Sequence, residues 1–419
     1  MIAWDWIVLL TGLVLAYAWL GYPALAWRAV RREPPPSAAL ADADLPFVTV
    51  LIAAYNEAGE LPGRVANLLA TDYPPDRWRA LIGLDGCTDG SAEAVHAAAA
   101  GDPRIEVRAY PVNRGKIGVL RDLAAAVSLD RPDGVLAFSD ANTHFRGDAL
   151  RRLVAPLVDP VTGAVCGRLV FRQAGSDGEN PEAEGWYWQQ ENRLKAFAAR
   201  LDSCLGANGG IYAMRAATFW HAVPTSTIVE DFVLAMKVRE QGFRVRYAPD
   251  AVAEEDLPAA AAEWGRRVRI GCGDYQALLL CRRCLLPAYG RFAWCFFSHK
   301  VLRWFTPHLL LLALGGAVAG TLAGSVVSGL AVLAFAALAV AALVGRLVPR
   351  RAPPVAGLAG YPLKGLRLCE HFVTMQLALL AGFVRFCRGD LRAAWLPTPR
   401  GGAGEDRRRR TADRGPGGL

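Results

Sequence analysis

The sequence predicts an α/β catalytic domain, a mostly parallel Rossmann-like sheet with helices on both faces, joined to transmembrane helices. Three observations predict it. Apolar, β-rich runs alternate with helical periods from Phe47 to about Asp250, the pattern of successive βα units. Hydrophobic segments long enough to cross a bilayer flank that stretch. Acidic residues stand where the apolar runs end: Asp85 after residues 80–84 and Asp140 after residues 135–138, the place where open α/β sheets put their ligand crevice.

The elements follow in order. Residues 4–27 are almost wholly apolar, with Trp and Tyr at both ends and Arg28, Arg31 and Arg32 directly after. They read as a transmembrane helix whose C-terminal end is cytoplasmic. A cleaved signal peptide would want a basic start and a small-residue cleavage site, and this stretch has Asp5 near its start and Trp and Arg at its end. The Pro- and Ala-rich residues 28–45 form a linker. The catalytic domain occupies residues 46–290. Its strands are expected at FVTVLIAAY, RALIGLD, RIEVRAY, GVLAFSD, residues 165–170 and residues 243–247. Its helices are expected at residues 57–70, 91–100, 116–127, 148–158, 182–200 and 232–241, with an amphipathic helix from about Ala259.

Residues 291–306 mix aromatics with Arg291, His299, Lys300 and Arg303, a composition that suits an in-plane interfacial helix. Two spans lie within residues 307–345, turning at Gly324-Ser325 or at Ser328-Gly329. A third hydrophobic segment, residues 364–387, contains Glu370, His371 and Gln376. Its length favours a span, whereas the positive-inside rule wants the basic tail on the same side as Arg346, Arg350 and Arg351, so its depth stays open. The Gly- and Arg-rich residues 400–419 are expected to be disordered.

Composition agrees with a protein partly in lipid: 53% of 419 residues are hydrophobic and the mean hydropathy is +0.21. The net charge of +8 comes from arginines beside the hydrophobic segments and in the run from Arg407 to Arg410, which fits an anionic membrane face. Without interleaved aromatics these residues make no strand-binding platform, so no nucleic-acid partner is expected. The nine cysteines form no framework of closely spaced pairs, and the single CxxC at Cys281 and Cys284 lacks a second pair or His cluster. They read as structural thiols in a reduced, cytosol-facing domain.

Several short motifs carry chemistry. AAYNE ends the first strand, so Glu57 could meet a ribose or base edge or simply begin a helix. Asp85, in DGCTDGS, can bind the nucleotide or close a turn. Lys116, after Asn113-Arg114-Gly115, can approach a diphosphate or stand solvated at a helix start. Asp140-Ala141-Asn142 has the spacing that lets two oxygen ligands on one turn reach one hard cation, Mg2+ or Mn2+, although Asn142 brings only a neutral oxygen. Glu230-Asp231 precedes a helix; one of them can serve as general base toward an acceptor hydroxyl, or as an N-cap. Arg266 and Arg269 can clamp a diphosphate bidentately or face a membrane.

The ordered set AYNE, DGCTDGS, RGK, DAN, GGIYAMR, EDF, QGFRVRYAPDA and RRVRI, from Phe47 to about Gly273, resembles the inverting family 2 glycosyltransferases, in particular the membrane-anchored group related to cellulose, hyaluronan and poly-N-acetylglucosamine synthases. That resemblance implies a GT-A fold and a nucleotide diphosphate sugar as donor, commonly UDP-linked. It implies that Tyr55, Glu57 and Asp85 contact the nucleotide, that Asp140 holds the metal and that Asp231 is the catalytic base. Gly209, Gly210 and Ile211 would line the sugar pocket, and Arg266 and Arg269 would hold the diphosphate. Two departures stand out: Ile270 replaces the family's aromatic after the last Arg, and Asn142 replaces the second acid of the metal motif. The expected protein is an integral inner-membrane enzyme with a cytoplasmic catalytic domain, acting on a glycan or lipid acceptor in envelope or exopolysaccharide synthesis. A polymerase would work with polysaccharide-export subunits. Transfer of a single sugar, or a silent scaffold, are the alternatives.

Overall fold

The computed structural model describes residues 3–30, 40–172, 181–256, 260–347 and 361–391. The proline-rich part of the expected linker and the basic tail lie outside them. An apolar rod opens the chain, α1 (Ala3–Ala16) passing through a π-helical turn at Tyr17–Gly21 into α2 (Tyr22–Ala29).

β1 (Val48–Ala54) is buried at every position, as an unalternating apolar run must be when helices cover both faces of a parallel sheet. α3 (Leu61–Leu69) begins later than the expected Glu57. Asn56 holds a positive φ of 54°, Glu57 accepts from the amides of Glu60 and Leu61 in a turn, and Pro62 occupies the first helical turn, where its missing N–H costs nothing. There follow β2 (Trp78–Asp85), α4 (Ser91–Ala99), β3 (Ile105–Tyr110), α5 (Lys116–Asp130), β4 (Val135–Ser139), β5 (His144–Phe145) and α6 (Ala149–Val154). Then come β6 (Thr162–Arg172), α7 (Pro181–Leu201), β7 (Tyr212–Arg215), α8 (Glu230–Glu240), β8 (Arg244–Asp256) and α9 (Ala260–Leu280).

The eight strands form one sheet in the order β3-β2-β1-β4-β7-β6-β8-β5. β3, β2, β1 and β4 run parallel, and the winding reverses between β1 and β4, which opens a crevice at their carboxyl ends. β7 is antiparallel to both β4 and β6, β8 is parallel to β6, and β5 closes the edge antiparallel to β8. One core packs Leu61, Val65, Leu68, Val95, Leu150 and Leu153 onto one face of the sheet. The other packs Ile117, Leu120, Leu123, Leu234 and Val238 onto the opposite face.

Beyond the sheet, α10 (Arg291–Phe296), a second π-helical turn (Phe297–Val301) and α11 (Leu302–Trp304) form a short helical arm. The arm bends by 60° into α12 (Thr306–Leu322). Gly324, at φ 83°, makes the turn into α13 (Val326–Leu347), which selects the first of the two expected connections. Among the described residues, Ala3–Ala29 and Val326–Leu347 are long and apolar enough to cross a membrane, and the bent pair raises the number of candidates to 3. Small residues let these helices touch: Gly316 faces Ile7, and a β-carbon at Gly320 would overlap Ser328. At the far end of this bundle Asp5, only 2% exposed, accepts from Ser325 Oγ at 2.5 Å and Ser328 Oγ at 2.7 Å. At the near end Trp19 Nε1 donates to Thr306 Oγ1 at 3.0 Å, and the Tyr17 hydroxyl meets Ser298 Oγ at 2.8 Å.

α14 (Tyr361–Cys387) starts where α13 ends, with Leu366 against Gly345. Near its other end Gly382 lies directly on the backbone of Gly271 and Cys272 in α9. Both ends of α14 therefore sit on the catalytic side of the bundle. After it, Gly389 and Leu391 border an open cleft of about 550 Å³ with Asn113, Arg114, Gly115, Thr225 and Ser226.

Candidate active site

The crevice at the ends of β1 and β2 is built by carboxylates that hold backbone. Asp85, fully buried, accepts from the amides of Arg114 at 2.7 Å and Gly115 at 2.8 Å. This is possible because Gly86, at φ +68°, has no β-carbon: one would lie 2.7 Å from the Asn113 nitrogen. Asp89 likewise accepts from the Ala58 amide at 2.9 Å, and Ser91 Oγ accepts from the Glu57 amide at 3.0 Å. The DGCTDGS segment thus fixes the two turns that carry Tyr55 and Glu57 on one side and Lys116 on the other. Tyr55 and Glu57 are partly exposed at the crevice.

Lys116 opens α5, and its Nζ lies 2.6 Å from Asp140 Oδ1 and 2.7 Å from Glu230 Oε1. Burial by itself disfavours that ammonium, but Asp140 and Glu230 more than reverse the effect and its pKa is raised. Glu230 and Asp231 are the first two residues of α8, where the helix dipole favours negative charge. Asp231 accepts from the Phe232 amide through Oδ1 at 2.8 Å. Its carboxyl is pushed up to about 6, by burial and then by Glu230, against the pull of Lys116.

Gly209 marks the point where these groups converge. A β-carbon there would lie 3.3 Å from Asp231 Oδ2, 3.5 Å from Lys116 Nζ and 3.7 Å from Asp140 Oδ2. Gly210 stands beside Thr143, whose Oγ1 would be 2.9 Å from a β-carbon at that position. α9 approaches from the other side. Arg269, Gly273 and Gln276, at helical spacing, share one face: Gly273 packs on Ile228 and Val229, and Gln276 bonds the Ile228 amide and the Ser226 carbonyl at 3.0 Å each. That face anchors the loop leading into Glu230. Burial lowers the pKa of Arg269, against the attraction of Glu230 and then Asp140, so its guanidinium belongs to the same cluster. Arg266 pairs with Glu263 at 3.4 Å.

Residues 49–220 match the model of glycosyl transferase family 2. Those residues form a family 2 glycosyltransferase domain. The match ends before Asp231 and α9. Among relatives of this family 2 chain is an N-acetylglucosaminyltransferase of Rhizobium sp. (strain N33), 27% identical over 62% of this chain and 60% of its own length. Another is the beta-monoglucosyldiacylglycerol synthase of Synechocystis sp. (strain ATCC 27184 / PCC 6803 / Kazusa), 27% identical over 56% of this chain and 49% of that protein. The matches therefore span only about half to three-fifths of those relatives. In fold, the family 2 chain is similar to the mannosyltransferase PcManGT from Pyrobaculum calidifontis, solved with GDP-Man and Mn2+. The TM-score is 0.66 at 23% identity, over 91% of this chain and 99% of that one. The fold is thus GT-A, a mixed and mostly parallel sheet with long apolar helices.

The Asp140 turn of this family 2 domain fits a hard cation in the chemistry of its oxygens. Asn142 Nδ2 donates to Glu255 Oε1 at 2.6 Å; a carboxylate only accepts, so the amide's orientation is fixed and Oδ1 faces elsewhere. Neither Asn142 Oδ1 nor Asp140 Oδ2 bonds another described residue. Among the described residues no group of 3 or more His, Cys, Asp or Glu could hold a metal, so a cation here would rest on Asp140, Asn142 and the donor's own phosphates.

Sequence reasoning missed what holds this turn. Arg64, on α3, is wholly buried. It donates to Ser139 Oγ at 3.0 Å and to Asn67 Oδ1 at 2.5 Å, and lies 4.3 Å over the Phe145 ring. Burial pulls its pKa down to about 9, against the attraction of Asp140. Asn67 completes the clamp, accepting from the Phe145 amide and donating to its carbonyl, both at 2.8 Å. A lone Arg in an amphipathic period carries no signal of such a role. Asp274 was missed too; burial, then Glu191 and Asp231, push its carboxyl up to about 8, against Lys300.

Proposed function

We propose that this chain is a membrane-anchored inverting glycosyltransferase. It moves a sugar from a nucleotide diphosphate sugar, UDP-linked in the first instance, to a hydroxyl of a glycan or lipid acceptor at the membrane. The observation that carries the reading is the meeting of Asp231, Lys116 and Asp140 around Gly209. A carboxyl held near 6 is ionised at neutral pH yet basic enough to take a hydroxyl proton. Asp231 deprotonates the acceptor as it attacks the sugar carbon from the face opposite the departing diphosphate, which inverts the anomeric centre. Lys116 and Arg269 stabilise the charge gathering on that diphosphate. A divalent cation held by Asp140 and Asn142 would add Lewis-acid stabilisation of the same charge. Tyr55, Glu57 and the turns fixed by Asp85 and Asp89 receive the nucleoside end, and Gly209 and Gly210 leave room for the sugar. In this reading α1 with α2, α12 and α13 cross the inner membrane, the catalytic domain is cytoplasmic, and α10, α11 and α14 lie at that face.

Two features favour the addition of one sugar over polymer synthesis. Ile270 offers no aromatic platform for a growing chain, and the described bundle closes on itself where Gly316 meets Ile7 and Gly320 meets Ser328. A polymerase built on this chain would need further copies or export subunits to form a conduit. The Synechocystis relative, named for a glucosyl lipid, supports a lipid acceptor. The Rhizobium relative supports N-acetylglucosamine as the sugar.

The test is nucleotide diphosphate release by purified membranes across a panel of UDP- and GDP-sugars with Mg2+ or Mn2+, beside Asp231→Asn. Release with one donor, lost in the variant, is the expected outcome and names the sugar; equal release by the variant would remove Asp231 as base. Product length by mass spectrometry separates a single addition from a polymer.

A further inference from the structure

α7 carries two buried charges one helical turn apart, Glu191 at 6% exposure and Lys195 at 5%. Residues at that spacing share a face, and these two meet different parts of the structure. Glu191 accepts from Lys300 Nζ at 2.5 Å and lies 3.0 Å from His299 Nε2, both on the π-helical turn of the juxtamembrane arm. Lys195 Nζ donates to Asn208 Oδ1.

Asn208 begins the turn that holds Gly209 and Gly210. Its Nδ2 donates to the Gly167 carbonyl at 2.6 Å, and its own carbonyl accepts from the Ile211 amide at 2.9 Å. Lysine can only donate and a backbone carbonyl can only accept, so both ends of the Asn208 amide are oriented by their partners. The glycine turn is pinned on both sides as a result. Burial opposes a charged Lys195, while Cys166, Cys204, Glu191 and Asp231 tip the balance and raise its pKa.

We propose that Lys195 is a positioning residue for the transfer step: from α7 it holds Asn208, and through it the Gly209-Gly210 turn, against the Asp231 carboxylate. The inference rests on the reading of Asp231 as general base. The charged and titratable groups around Asp231 are Glu230 beside it on α8, Lys116 from α5, Lys195 from α7, Asp274 from α9 and Asp140 from the end of β4, with Tyr212 of β7 and Cys166 of β6 behind them. Lys195 is one of the two lysines in this set, and its attraction keeps Asp231 ionised to lower pH.

The experiment compares full-length K195M, K195R and N208A in native membranes, using the sugar nucleotide on which the parent protein is active. K195M is expected to lower kcat by about 10- to 100-fold, the scale of a misplacement near 1 Å. Its donor KM changes little, and the acid limb of its pH profile moves to higher pH. N208A is expected to lower kcat on the same scale with the limb unmoved, because the charge remains. K195R restores part of both effects. Parent-like kcat and limb in K195M would overturn the proposal. So would kcat losses in both variants that merely track a fall in Tm and a rise in donor KM. If K195M does not fold, N208A decides by its kcat against KM. A parent protein silent with every donor would instead overturn the transferase reading itself.

Discussion

Lys116 holds one positive charge between two carboxylates, Asp140 and Glu230, with the third, Asp231, beside Glu230 on the same helix turn. Its charge opposes the burial and the Glu230 repulsion that raise the pKa of Asp231. Asp231→Asn keeps the shape and removes the proposed base, so transfer is expected to be lost while nucleotide binding, measured by titration, stays near that of the parent. A base at about 6 also predicts a pH profile: kcat falls about tenfold for each pH unit below that value, and stays flat above it until another group titrates. The stability sign runs the other way. Because the folded-state pKa exceeds the ordinary 3.8, the contribution of this group favours the fold most below pH 4 and is lost as pH rises through 6. Gly209→Ala puts a methyl 3.3 Å from Asp231 Oδ2, in the space the proposed function gives to the sugar. Turnover is expected to drop with unchanged Tm. The acidic pair at the start of a helix was legible in Glu230-Asp231-Phe232; the raised pKa of Asp231 was not, because its largest cause is burial, which only the folded packing sets.

At the level of elements, α3 acts as a clamp on the segment from Ser139 to Phe145. Asn67→Ala would strand both the amide and the carbonyl of Phe145, a loss of about 1–3 kcal/mol where such groups are shielded from water. Denaturant unfolding in detergent reads that loss, and weaker Mn2+ binding by electron paramagnetic resonance would show that the turn had loosened. The parallel half of the sheet was legible, since β1, β2 and β4 hold runs of four or more apolar or β-branched residues between turn signals and β3, IEVRAY, alternates apolar with charged residues. β7 and β5 were not. Four residues and two residues are too few for any period to show, and they are strands only because β4, β6 and β8 offer edges. β8 runs on to Asp256 because a register shift opposite Gly167 and Arg168 absorbs the residues around Pro249, where a proline alone reads as a strand end.

For the whole molecule, the depth of the last hydrophobic segment was undecidable from length and charge. The contacts at Gly345 and Gly382 put one end of α14 beside the end of α13 and the other against α9, and in the topology proposed above both ends then lie at the cytoplasmic face, with no conflict with the positive-inside rule. Cys387 is exposed, and Leu322, at 84% exposure, sits at the opposite end of the bundle. In the proposed topology a membrane-impermeant maleimide is therefore expected to label Cys387 only in inverted vesicles, and to label a variant carrying both Leu322→Cys and Cys387→Ser at position 322 only in right-side-out cells. Labelling of both from one side would rule out this topology.

Asp5 and the serines that satisfy it stand 320 and 323 residues apart in sequence. During synthesis the first helix is made long before those two hydroxyls, which arrive only when α13 begins. A chain terminated before Ser325 would keep that acid without either hydroxyl. Asp5→Asn is accordingly expected to lengthen the lifetime of chains truncated before α13, as read by pulse-chase, while leaving the lifetime of the full chain little changed.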